Sequence, residues 1–141
     1  MIALASDHGG YGLKTIIAKY LFDKNIPFKD YGTHNTTSVD YPLYADLAVN
    51  AVLSKECDRG ILICTTGIGI SIAANRHAGI RAAHCTDTYQ ARMTRLHNDA
   101  NVLCLGAAVT GTGLALMITD TFLDTPFSCE EKHQRRVEML G

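Results

Sequence analysis

The chain has 141 residues, 47% of them hydrophobic, with 13 basic against 14 acidic side chains and a formal net charge of −1. That length predicts one domain over residues 1–141, with apolar content enough for a packed core. The charge balance argues against a general nucleic-acid binder. No apolar run is long enough to span a bilayer, and the first residues carry no charged segment leading into a signal-like apolar core. The five cysteines are widely spaced without a C-x-x-C pair. They predict reduced thiols in a cytoplasmic protein, not a disulfide frame or a zinc site.

In chain order, residues 1–5 form a short apolar run ending in Ser6-Asp7-His8-Gly9-Gly10. Leu13, Ile16, Ile17, Tyr20 and Leu21 then recur at helical spacing, and Asn25 and Pro27 end that helix. A short strand lies in "PFKDYGT". A helix follows over 39–54, with Pro42 in its first turn, where a missing N–H costs little. "RGILICT" is a continuously apolar strand, the pattern of a parallel sheet covered on both faces. A helix begins near Gly69. "GIRAAHC" is the fourth strand, and "TDTYQARMTRLHN" is a helix capped by Thr86 or Asp87. "NVLCLG" is the fifth strand, "GTGLALMITDTFLD" a further helix, and "EEKHQRRVEML" a last helix after Pro126. Strands alternating with helices predict an α/β fold: a three-layer, doubly wound, Rossmann-like sheet of five parallel strands with a C-terminal helical arm. Such sheets bind ligands at the carboxyl ends of their strands, so the loops after strands one, three and four are the expected site.

In the first loop, Asp7 can hold sugar hydroxyls and His8 a phosphate; the plainer reading is that Asp7 caps the next helix. In "CTTGIGIS", successive backbone N–H groups at a helix start make an anion site. The loop lacks both the dinucleotide glycine pattern and the P-loop ending, which favours a small anion. Cys64 ends the strand there. A strand cysteine is most often a small buried hydrophobe, but helix N-terminal amides favour a thiolate that can act as base or nucleophile. His97, in "RLHNDAN", suits general acid–base work; the plainer reading makes it part of a helix C-terminus. Cys57, Cys85, Cys104 and Cys129 read as structural or incidental, and His34, His77 and His84 show no ligand spacing. Lys132, Arg135 and Arg136 are either a solvated helix face or a phosphate clamp.

Five stretches together resemble the ribose-5-phosphate isomerase type B family, which includes galactose-6-phosphate and allose-6-phosphate isomerases. They are "SDHGGYGLK" (6–14), "SVDYPLYA" (38–45), "GILICTTGIGISIAANRHAGIRAA" (60–83), "ARMTRLHNDANVL" (91–103) and "KHQRRV" (132–137). The resemblance covers essentially the whole chain. It implies an aldose–ketose isomerisation of a sugar phosphate without metal or other cofactor. By position, Cys64 is the base moving a proton between C2 and C1, and Thr66 supports it. The backbone of Gly67, Ile68, Gly69, Ile70 and Ser71 holds the enediolate, and His97 opens the furanose ring. Asp7, Tyr41 and Asn98 hold hydroxyls, while His8, Lys132 and Arg136 hold the phosphate. The resemblance also implies a homodimer, or a dimer of dimers, whose site takes its His97 segment from the neighbour.

Three positions depart from the family pattern. Thr65 stands where the family usually has glycine, and Ala108 where it usually has arginine. Lys132, after Glu130 and Glu131, replaces the arginine of a Gly-Gly-Arg-His tail. Ribose 5-phosphate is the first expectation for the substrate and a six-carbon sugar phosphate the second. A non-catalytic sugar-phosphate sensor needs neither Cys64 nor His97. A cysteine hydrolase lacks support because the G-x-C-x-G elbow is absent.

Overall fold

Alternation of side chains across three apolar strands decides where the layers form. A computed structural model describes residues 1–141. In chain order the elements are β1 (Ile2–Ser6), α1 (Tyr11–Asp23), β2 (Phe28–Asp30), α2 (Tyr41–Leu53), β3 (Arg59–Cys64) and α3 (Ile68–Asn75). Then follow β4 (Ala82–His84), α4 (Thr88–Asn98), β5 (Val102–Gly106), α5 (Thr112–Asp124) and α6 (Glu131–Leu140). All strands are parallel, in the order β2-β1-β3-β5-β4.

Because strand side chains alternate, each long strand feeds two cores. Ile2, Leu4, Ile61, Ile63, Leu103 and Leu105 pack with Leu13, Ile17, Leu21 and Phe122 on one face. Ala3, Ala5, Leu62, Cys64, Val102 and Cys104 pack with Ala45, Val49 and Ile70 on the other. The second face is lined mostly by smaller side chains, which lets α2 and α3 approach the sheet. Cys64 lies on that face.

The strand order refines the expected loops. Sequence order alone makes the loop after β4 a wall of the site, but β5 inserts between β3 and β4. The loop after β5 is therefore the one that lies on the Cys64 loop: Ala107 N–H bonds Cys64 O at 2.9 Å and Ala108 N–H bonds Thr65 O at 2.9 Å. The segment after β4 caps α4 instead, with Asp87 Oδ1 accepting from Gln90 N–H at 2.7 Å. β4 itself is confined to Ala82–His84, shorter than the apolar run around it. Its outer edge is shielded by Asn75, whose side-chain amide bonds both Ala82 O (2.9 Å) and Ala82 N–H (2.8 Å). A side chain thus occupies the position that another strand would take. No helix is long and apolar enough to cross a membrane.

Candidate active site

The sheet reverses its winding between β1 and β3, so the loops leaving those strands open a crevice at their carboxyl ends. Cys64 sits there, buried, as the last residue of β3. The chain then turns sharply at Gly67, whose φ of 80° is left-handed and suits glycine. This turn aims the Gly67 N–H at Cys64 Sγ, 3.1 Å away. Gly67 also caps the N-terminus of α3, where free amides and the helix dipole favour negative charge. Thr66 faces the same turn, but its Oγ1 accepts from Ile68 N–H at 3.2 Å and makes no hydrogen bond to the thiol. Ser71 Oγ donates to Ile68 O at 2.7 Å. The Tyr41 ring lies over the helix start: a β-carbon at Gly69 would fall 2.8 Å from its Cζ.

The β1 loop forms the opposite wall. Asp7 is buried, and its Oδ1 accepts the Gly10 N–H at 3.0 Å at the cap of α1. This bond favours the plainer sequence reading, in which Asp7 organises the start of α1, and it places the carboxylate at the lip of the crevice. His8 Nδ1 accepts Val39 N–H at 3.1 Å. That bond ties His8 to the segment leading into α2 and leaves Nε2 as the nitrogen that carries the proton in the neutral ring. The same segment is anchored by Asp30, which receives Lys14 Nζ on both oxygens at 2.6 Å and Gly32 N–H on Oδ1 at 2.8 Å. Lys14 is only 1% exposed, so this ion pair is well shielded from solvent on the lysine side. Thr65 Oγ1 occupies the space that a side chain at Gly9 would need. The threonine that departs from the family pattern thus bridges the two walls.

The remaining candidates lie elsewhere. α4 starts after the carboxyl end of β4 and must return to the amino end of β5, a run of eleven residues, or about 16 Å. Arg81, just before β4, marks the far end by donating to Asn98 O and Asp99 O. His97 and Asn98 are therefore at the opposite end of the sheet from Cys64. They are joined there by α6: His133 stacks on His97 with ring centroids 4.3 Å apart, and Ser128 Oγ lies 2.7 Å from His133 Nδ1. Partial desolvation, with help from His97 and the nearby cations, pushes His133 below the usual imidazole range. Lys132 and Arg136 are exposed on the same helix, and Lys132 Nζ is 3.8 Å from Glu130. Asn98 also lines a cleft of about 460 Å³ with Arg81, Thr94 and Leu140, away from the thiol. Sequence spacing separates His97 from His133 by a strand and a helix and gives no sign of their contact; a stack between two distant helices leaves no local signal.

One family model, described as Ribose/Galactose Isomerase, matches residues 2–140. The chain belongs to the ribose/galactose isomerase family. It is 46% identical over 139 residues to ribose-5-phosphate isomerase B of Escherichia coli K12, covering 99% of this chain and 93% of that protein. It is 42% identical over 129 residues to D-erythrulose-4-phosphate isomerase of Pectobacterium atrosepticum, covering 89% and 84%. The structure of Clostridium thermocellum ribose-5-phosphate isomerase B superposes with a TM-score of 0.97 at 54% identity, covering 99% of this chain and 94% of that one. The protein is accordingly an isomerase with the Rossmann-like fold of this family.

Proposed function

We propose that the whole chain acts as one domain that interconverts ribose 5-phosphate and ribulose 5-phosphate through a cis-enediolate. The Cys64 thiolate takes the proton from C2 of the open-chain aldose. The resulting enediolate carries its negative charge on oxygen, facing the amides of Gly67 to Ser71. The thiol returns the proton to C1 while the hydroxyl proton passes from O2 to O1, so one aldose gives one ketose. Thr66 sits beside the base. His97 protonates the ring oxygen to open the furanose. Asp7, Tyr41 and Asn98 hold hydroxyls, and His8, Lys132 and Arg136 hold the phosphate. The observation that supports this reading is the Gly67 N–H on Cys64 Sγ at a helix start, an arrangement that suits a base beside oxyanion donors.

Base and ring-opening acid come from different subunits of a homodimer. Support comes from their placement at opposite ends of the sheet within one chain. Further support comes from an exposed apolar face on the outside of α2 and α3, where Leu43 (62%), Leu47 (48%), Ile68 (51%) and Ile72 (58%) stand at i, i+4 spacing. The Ile68 end of this face adjoins the Cys64 loop, so a second copy docked there brings foreign side chains to the thiol.

A six-carbon sugar phosphate is a second reading, favoured by one observation. Ala108 leaves a small, exposed side chain on the loop that lies against Thr65, where the family pattern has an arginine. A coupled isomerase assay on four-, five- and six-carbon sugar phosphates tests both readings. The first predicts highest kcat/KM on ribose 5-phosphate. Preference for a six-carbon phosphate supports the second, and no turnover on any of them defeats both.

A further inference from the structure

The chain has two buried side-chain polar atoms without a hydrogen-bond partner, Ser6 Oγ and His84 Nε2, and both lie at carboxyl ends of strands. Ser6 is a small hydroxyl at the end of β1. His84 is of more consequence, because a sealed ring nitrogen is costly to leave unpaired unless it has a use. Its ring edge lies directly behind the turn that serves Cys64. A β-carbon at Gly67 would fall 2.7 Å from His84 Cδ2 and 2.8 Å from Nε2. So the imidazole fills the space that a side chain would take at the residue whose N–H faces the thiol. The ring as a whole is only half-buried and Nε2 is its one sealed nitrogen, which leaves Nδ1 as the route for proton exchange with solvent.

We infer that His84 is a positioning residue for the thiol loop: its ring fixes Gly67, and its protonated form favours the thiolate at Cys64 from behind. This rests on the reading of Cys64 as the reacting thiol. A cation on the blind side of the turn supports negative charge without occupying the crevice in which substrate lies. The titratable groups on the surrounding elements leave this role open to it. Near the turn, β3 ends in Cys64, β5 carries Cys104 and Cys85 follows β4 directly, while Asp87 caps α4 and α3 carries none. Burial pushes Cys104 well up and Cys85 up to about 12, so neither is a thiolate at neutral pH. Asp87 is the one carboxylate of the set.

The test reads the thiol directly and needs no substrate. His84→Leu and His84→Gln are made in a Cys129→Ser background, which removes the exposed cysteine, and Cys64 alkylation by iodoacetamide is followed by mass spectrometry across pH. In both variants the alkylation curve is expected to move to higher pH, with Cys64 reacting roughly three- to tenfold more slowly near neutrality, as for loss of a nearby screened cation. On the sugar phosphate the unmodified protein turns over best, kcat falls in step while KM holds. Alkylation curves that overlay the parent's, with only thermal stability reduced, would show His84 to be packing alone. A wild-type curve restored by glutamine would also overturn the inference, because glutamine keeps a donor but no charge. If the unmodified protein isomerises no sugar phosphate, the proposed function fails, and the alkylation comparison still decides the role of His84.

Discussion

The two ends of the sheet differ in kind. At the carboxyl ends, backbone does the work: a left-handed glycine, a helix cap and a thiol are fixed within four residues, from Cys64 to Gly67, by one short turn. At the amino ends, side chains do it: His97, His133 and the α6 cations converge from helices distant in sequence. In the mechanism proposed above, the first arrangement supplies the base from one chain and the second supplies the ring-opening acid from its neighbour. A site divided in that way would make activity depend on assembly.

The largest expected effect comes from breaking the backbone end. Cys64→Ala should lower kcat by about 10²–10⁴-fold, the usual worth of a positioned base, with circular dichroism unchanged. Turnover near the parent's level would remove Cys64 from the mechanism. Breaking the proposed contact between subunits comes next. Leu47→Asp with Ile72→Glu puts two charges on the exposed apolar face of α2 and α3. Sedimentation should then report a monomer, and activity should fall with the dimer fraction. A fully active monomer would mean that one chain holds the whole site.

The ease of reading these two ends from sequence follows the same division. The β3 run, its cysteine and the glycine turn are contiguous, so apolar patterning and turn chemistry identify them. Asp87 as the cap of α4 is local too, and the structure chooses it over Thr86 through the Gln90 N–H. Non-local choices are silent. Nothing local in "NVLCLG" says that β5 inserts between β3 and β4. Nothing in "SDHGG" says that Thr65 rests over Gly9, and nothing in "RAAHC" places His84 behind Gly67. These contacts depend on how distant segments pack, and their residue types are unremarkable where they stand.

Smaller effects sharpen the comparison. Arg136→Ala should raise KM about ten- to hundredfold with less change in kcat, because a charge-assisted hydrogen bond to phosphate is worth about 1.5–3 kcal/mol and is made throughout the reaction. Ala108→Arg should tighten binding of a five-carbon phosphate. An unchanged KM for Arg136→Ala on every active substrate would place the phosphate elsewhere. The smallest effect is on stability. Since the folded state holds His133 below its usual value, the unfolded chain binds its proton first as pH falls. Stability from this group is full above the usual imidazole pKa and declines as the solution is acidified through it. Denaturant titrations at several pH values should show that decline, flattened in His133→Phe. An identical acid limb in the variant would exclude His133 as its source.

The central claim, that thiol and ring-opening histidine come from different subunits, is tested most directly by mixing two disabled proteins. Cys64→Ala and His97→Asn are each expected to be nearly inactive on a furanose-forming sugar phosphate. Unfolded together and refolded, they form dimers in which half the molecules are mixed, each with one intact site and one doubly defective site. Activity should return to about a quarter of the parent's per subunit pair, as random pairing in a two-fold dimer requires. Activity that stays at the level of the separate variants, with mixed dimers verified by mass, would show that each chain keeps its own site and would contradict the account.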